Sequence, residues 1–417
     1  MPLHPHRTTL TNGVTLLAKE ARSTPAVAIN LAVRAGSAYD PAGAEGTAWL
    51  LSRVIDRGTA SRSAAVIAEE LDSRGITVNI NVTRHLFSLV CTCLAEDFEP
   101  VLALLGEIVM TPSLQEAEIA TRKGEVITAI RQDEDSPAVR ATEALMALLY
   151  PNGHPYGRRT KGTIEIVERL TRADLARLHS SCFSPGALTA VIVGDVDTTR
   201  AHDLCARTFS DWGQTGVRPP YDSVLYPTWH QRRRHVISMM NKAQADIAYG
   251  FTTITRRDPA YYAFWLMNNV FGQYSIGGRL GDNIRERQGM AYYVSSSLDA
   301  NVAPGPLTIR AGISPKNVDR AIASIDEEVA RLVTDGVTQK ELDDSRKYLV
   351  GSIPRALETN AAIANFLQTE ELFELGLDYD ARLPALLGSV TLDEANAAAR
   401  SAMDPERATV VIAGPYQ

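Results

Sequence analysis

Eight histidines, four cysteines and 49 acidic residues are the groups in this 417-residue chain that could bind a metal or carry acid–base and nucleophilic chemistry. Their spacing supports little of it. The histidines (His4, His6, His85, His154, His179, His202, His230, His235) are scattered. None forms HExxH or HxxEH, the helix-borne patterns that set two imidazoles one turn apart with a glutamate between them to activate water. There is no GxSxG around a serine, no CxxC and no phosphate-cradling GxxxxGK[ST]. Cys91 and Cys93 alternate in the apolar run SLVCTCLA and read as small core residues on one strand face. His4 and His6 sit on a terminus expected to fray, and His154 in NGHPYGR reads as a turn residue. The basic run QRRRH (231–235) reads as a solvated loop rather than a nucleic-acid contact.

Those residues must be positioned by elements, and composition bounds what the elements can be. With 45% hydrophobic and 22% charged residues the chain is of ordinary globular type, and a net charge of -7 leaves no basic field to hold nucleic acid. No run approaches the roughly 18 apolar residues needed to cross a bilayer. The opening MPLHPHRTTLTNG lacks the apolar stretch of a signal peptide, so a cytoplasmic location is expected.

Self-similarity organises the length. LTRADLARLHSSCFSPGALTAVIVGDV, from Leu170, matches VTLDEANAAARSAMDPERATVVIAGPY, from Val390, with Thr171/Thr391, Pro185/Pro405 and Gly194/Gly414 sharing one offset of 220. PSLQEAEIATRKGEVITAI matches GVTQKELDDSRKYLVGSI at an offset of 223, as Glu118 and Glu341 show. Two copies of one domain are expected, over 1–215 and 223–417, with the Gly/Pro-rich segment 216–222 as linker. Within the first copy, Asn12-Gly13 predicts a two-residue hairpin turn. Helical periods cover GTAWLLSRVIDRGT and residues 64–74, 98–110 and 114–131, and ITVNINVTR, LFSLVCTCL and LTAVIVGDV read as strands. Hairpins mixed with helices predict an α+β fold, a mostly antiparallel sheet with helices packed on one face.

Three segments carry a further signal: GSAYDPAGAEGTAWLLSRVIDRGT, then RKGEVITAIRQDEDSP, then NGHPYGRRTKGTIEIVERLTRADL, with NIRERQGMAYYVSSS in the second half. Together they resemble the pitrilysin/insulinase family of zinc peptidases, the group that includes mitochondrial processing peptidase. The resemblance implies two homologous domains that form half of a clam-shell chamber. In catalytic members the first helix holds HxxEH within a stretch like GxAHFLEHxxxxGT. Laid over GTAWLLSRVIDRGT, the two histidine positions fall on Trp49 and Arg53 and the water-activating glutamate falls on Ser52. The third ligand, 76 residues beyond the second histidine, falls on Ala129, and an assisting glutamate falls on Arg122. None of these can serve: indole offers no lone pair, guanidinium is a permanent cation and alanine has no donor atom. No metal and no cofactor are therefore expected in this chain.

The second half keeps more of the pattern. Asn283 to Arg287 reads as a helix end, Gly289 as its left-handed cap and Ala291 to Ser297 as a strand. The family places an Arg and a Tyr seven positions apart at this junction to hold substrate carbonyls; here Arg285 and Tyr292 have that separation. Both are donors suited to a peptide backbone and a developing oxyanion. The plainer reading has Arg285 paired with Glu286 and Tyr292 in the core. Tyr293 should face the opposite side of the strand. Gly277 and Gly278 are read as a flexible loop near the substrate.

The resemblance thus implies a metal-free, substrate-binding subunit of a heterodimeric zinc metallopeptidase, not catalytic alone, acting on unfolded peptides. A homologous HxxEH-bearing partner chain would supply the zinc. Maturation of a peptide precursor, such as that of pyrroloquinoline quinone, is among the activities the family offers. The alternatives are a non-proteolytic structural or peptide-binding protein that kept the fold, as the core subunits of the respiratory cytochrome bc complex resemble, and a homodimer with its own zinc.

Overall fold

Alternating apolar runs become strands and the 3.6-residue periods become helices. A computed structural model of the chain describes residues 2–213, 231–274 and 277–417, and the expected linker, 216–222, lies outside them together with His230. Strands β1 (His6–Thr9), β2 (Thr15–Glu20), β3 (Ala26–Val33), β4 (Asn79–Val82), β5 (Phe87–Leu94) and β6 (Leu188–Gly194) form one sheet in the order β1-β2-β6-β3-β5-β4. Strands β7 (Arg233–Ser238), β8 (Ala245–Thr252), β9 (Ala291–Leu298), β10 (Pro306–Ile313) and β11 (Thr409–Gly414) form a second, β7-β11-β8-β10-β9. The β2/β6 and β7/β11 pairs are parallel and the other pairings of these strands antiparallel, which is the α+β class expected.

The helices follow in chain order. The first half holds α1 (Thr47–Val54), α2 (Ala64–Asp72), α3 (Phe98–Met110), α4 (Glu116–Glu134), α5 (Pro137–Leu149), α6 (Ile164–Arg169), α7 (Arg172–Cys182) and α8 (Thr198–Thr208). The second holds α9 (Tyr261–Asn268), α10 (Val318–Thr334), α11 (Gln339–Ala356), α12 (Asn360–Phe373), α13 (Tyr379–Ser389) and α14 (Leu392–Ala402). The repeat is visible in atomic detail. Thr171 opens α7 and Thr391 opens α14, each through a reciprocal capping box, with Asp174 and Glu394 respectively. Pro185 and Pro405 each begin a short 3₁₀ turn, and Gly194 and Gly414 end equivalent strands at φ of +150° and +139°.

The chain divides into two compact units that are not contiguous in sequence. One takes Met1–Ile130, Arg159–Asp222 and Ile353–Ala381, the other Arg131–Arg158, Ser223–Ser352 and Arg382–Gln417. Helix α12, from late in the chain, therefore lies on the first sheet. Side chains of β2, β3 and β6 alternate between two cores: Leu16, Ile29 and Ile192 join the large one with α1, α3 and α7, whereas Leu17, Ala28, Val191 and Val193 meet Ile363, Ala364 and Leu367 of α12. Asn30, 2% exposed, donates to Asn365 Oδ1 at 2.9 Å and fixes the helix across β3. In the other unit α5 lies over β8, where Leu145 and Leu149 press on Gly250, and Tyr249 on the opposite face donates to Asp326 of α10. The main helical layer lies on one face of the first sheet, and a helix from the other half of the chain covers the reverse face.

Three local expectations change. The Asn12-Gly13 hairpin has a three-residue loop (11–13) rather than two, closed by the Leu10 N–H on the Val14 carbonyl and the Gly13 N–H on the Leu10 carbonyl, and the Asn12 side chain accepts from Val14 N–H and donates to the Phe209 carbonyl. His6 is not frayed: it pairs with Ala18 in β1. The basic run leads into and opens strand β7 rather than forming a loop: Arg232 forks onto Asp326 and Arg233 donates to the Leu148 carbonyl, while Arg234, paired with Asp319, and His235 stay exposed. Cys91 and Cys93 are buried on one face of β5 as read, and burial pushes both thiols up to about 12. No helix among the described residues is long and apolar enough to cross a membrane.

Candidate functional site

Helix α1 carries Trp49, Ser52 and Arg53 at the i, i+3, i+4 spacing that aligns three side chains on one face. Its start is set by Gly46, at φ +93°, where a Cβ would come within 2.4 Å of the Lys161 carbonyl oxygen. Asp40 closes the first turn by accepting from the Gly46 and Ala48 N–H groups at 2.8 Å each. Ser52 is buried and donates to the Trp49 carbonyl at 2.6 Å, so its hydroxyl is turned back onto its own helix. The Arg53 guanidinium lies 4.7 Å from the Trp49 ring centroid, and the Lys161 ammonium lies 5.5 Å from the same ring. On α4, Ala129 offers only a methyl group, and Arg122 pairs with both Glu118 and Glu125.

The fields on this face are those of guanidinium groups. Burial pushes the Asp56 carboxyl up, against Arg57 at 3.2 Å and the more distant Arg122 and Arg53. The Glu125 carboxyl is held down by its bond from Arg122, with Arg57 and Arg53 adding to the effect. Among the described residues, no group of three or more His, Cys, Asp or Glu side chains is arranged to hold a metal ion.

In the second unit, β9 follows a π-helical segment, Gly281–Arg287, in which the Gln288 N–H reaches back five residues to the Asn283 carbonyl. Gly289 ends it at φ +61°, as a left-handed cap should. Arg285 is half exposed, with Nε 3.6 Å from Glu286 Oε1, a solvated pair that contributes little. Tyr292 is not a core residue: it is 83% exposed on β9, an edge strand of its sheet. Tyr293 faces the other way and donates to the buried Asp246 at 2.5 Å; burial and that bond both raise its phenol.

Gly277 and Gly278 are glycines because of close packing. A Cβ on Gly278 would lie 2.9 Å from the Gly272 Cα, and one on Gly277 would lie 2.1 Å from the Tyr274 ring. Both line a cavity of about 510 Å³ whose other walls include Tyr274, Arg279, Glu341 and Tyr348. The two tyrosine rings meet edge to face at 4.3 Å, and Arg279 forks onto Glu341 with two bonds of 2.7 Å. Burial pushes the Glu341 carboxyl up, but the bonds from Arg279 and Thr338 outweigh it and hold the group at about 2. Neither Arg285 nor Tyr292 lines this cavity, so the four second-half residues do not share one pocket. The α11 wall was not anticipated from the sequence; its signal was the 223-residue offset, which sets α11 in register with α4.

Comparison with known proteins agrees with the fold. Residues 15–163 match the family described as Insulinase (Peptidase family M16), and residues 169–349 match the Peptidase M16 inactive domain. The chain belongs to the insulinase family, peptidase family M16. It is 25% identical over 407 residues to the uncharacterized zinc protease YmxG of Bacillus subtilis (strain 168), covering 97% of each chain. It is also 25% identical over 391 residues to a Helicobacter pylori protein named non-peptidase homolog YmxG, covering 92% of this chain and 88% of that one. The crystal structure of a peptidase M16 inactive domain from Pseudomonas fluorescens superposes with a TM-score of 0.92 at 24% identity, covering 99% and 98% of the two chains. A chain of complex III from Candida albicans superposes with a TM-score of 0.81 at 16% identity, over 98% and 96%. Zinc, which the family implies, does not fit the α1 face: an indole, a back-bonded hydroxyl, a guanidinium and a methyl group provide no set of ligands.

Proposed function

We propose that this protein is the metal-free, substrate-binding subunit of a two-chain zinc peptidase. A homologous chain bearing HxxEH supplies the metal, and Arg285 and Tyr292 of this chain hold the backbone of an unfolded peptide within a chamber closed by both. The carrying observation is Tyr292, a large phenol left 83% exposed on an edge strand directly after the segment that bears Arg285. An exposed tyrosine costs apolar hydration, and its hydroxyl is available to donate to a carbonyl oxygen in the transition state. Maturation of a peptide precursor such as that of pyrroloquinoline quinone is one activity of this kind.

A second reading is favoured by one observation, the loss of metal chemistry on α1. In it the chain is a structural or peptide-binding protein without proteolysis, in line with the name of the Helicobacter pylori relative. Co-expression with an HxxEH-bearing homologue separates the two. Peptide cleavage by the mixture alone, abolished by Arg285→Ala, is the expected outcome. Equal cleavage by the partner with and without this chain would sink the first reading and leave the second. Stoichiometric zinc and hydrolysis in this chain alone would overturn both.

A further inference from the structure

The α1 face has lost the means to bind a metal, but it is not inert. Two cations converge on the Trp49 ring, Arg53 at 4.7 Å and Lys161 at 5.5 Å from the centroid. The face of an indole attracts each cation, while the cations repel one another. Arg53 has no carboxylate within ion-pair distance among the described residues; its contact is the ring. The two acids that feel its charge are engaged elsewhere, Asp56 with Arg57 and Glu125 with Arg122. Ser52, between them on the helix, is back-bonded to Trp49.

We propose that Trp49 and Arg53 form a carboxylate-binding cradle. The ligand is the carboxylate of a peptide, either its free C-terminus or an acidic side chain. A guanidinium presents two parallel N–H donors that match a carboxylate fork, and the flat indole holds that fork in one plane before the ligand arrives. The arrangement lies wholly in the first compact unit, and it stands or falls independently of any zinc-bearing partner.

The test is titration of the purified full-length chain at low ionic strength with three short peptides, read by calorimetry and by tryptophan emission. One has a free C-terminus and no acidic side chain, one is its C-terminal amide, and one is the amide with an internal glutamate. The free acid should bind about tenfold or more tightly than the acid-free amide, the discrimination one charged bidentate pair provides. Binding of the free acid alone assigns the cradle to C-termini, and equal binding of the glutamate amide assigns it to carboxylates in general. Arg53→Gln should abolish the preference, and Arg53→Lys, which keeps the charge but not the fork, should reduce it. A chelator should leave it unchanged. Equal binding of acid and acid-free amide, a preference that survives both Arg53 variants, or one that disappears with chelator would overturn the proposal.

Discussion

Tyr292→Phe and Tyr293→Phe remove the same atom from adjacent residues of β9, yet the structure assigns them opposite consequences. Tyr292 is 83% exposed, so losing its hydroxyl should change folding stability by no more than about 0.5 kcal/mol. Tyr293 donates to Asp246 at 2.5 Å, and Asp246 is 4% exposed. The same Asp246 oxygen also accepts from Gln244 Nε2 at 3.2 Å, so it retains one partner after the change. A hydrogen bond to a buried carboxylate contributes about 1.5–3 kcal/mol, and the remaining Gln244 bond puts Tyr293→Phe toward the lower end. In the peptidase assay of the two-chain mixture the order reverses. Removing an oxyanion donor costs about 3 kcal/mol, roughly a hundredfold in kcat, so Tyr292→Phe should be the inactive variant. Urea denaturation of the purified chain gives the first quantity and initial rates at saturating peptide give the second. Destabilisation by Tyr292→Phe equal to that by Tyr293→Phe would refute the orientation of β9. A mixture containing Tyr292→Phe at the wild-type rate would refute the role of the phenol.

Other outcomes can be checked on the chain alone. His85 is 2% exposed, and burial, aided by Arg84, lowers its imidazole to about 4 from an unfolded value near 6.5. The unfolded chain then binds the proton first, so stability is full above pH 6.5 and falls as the pH drops toward 4, by up to about 3 kcal/mol. His85→Gln should flatten the urea midpoint over that window. Leu367→Ala on α12 should destabilise by about 2–5 kcal/mol, since the residue is fully buried against the reverse face of the first sheet. If α12 did not cover that sheet, the loss would be near zero in chemical denaturation. Thr171→Ala and Thr391→Ala should each cost about 1 kcal/mol through the lost caps of α7 and α14. Their double mutant should equal the sum to within about 0.5 kcal/mol, and a larger deviation would mean that the two caps are coupled.

The sequence by itself determined whatever depends on neighbours in the chain or on the atoms of a side chain. Thr171 and Thr391 stood out as repeat positions, and the capping boxes they form are local because such a box closes within one turn; Gly289 could be read as a terminator because only glycine takes its backbone angle cheaply. The 220-residue offset predicted paired elements because both copies face the same local demands. The loss of metal chemistry at Trp49, Arg53 and Ala129 was equally legible, since it needs only the knowledge of which atoms carry lone pairs. Tertiary structure decided the rest. An amphipathic period says that α5 and α12 each have a face to bury but not which sheet will bury it, and each packs on the sheet formed largely by the other half of the chain. Alternation along β9 says that Tyr292 and Tyr293 point apart but not which one faces solvent; the buried Asp246 on β8 decides that. Nor does spacing bring Lys161 to Trp49, 112 positions earlier in the chain. That meeting requires the loop before α6 to fold back onto the start of α1, where the Gly46 backbone touches the Lys161 carbonyl, and only the folded chain places both cations on one ring.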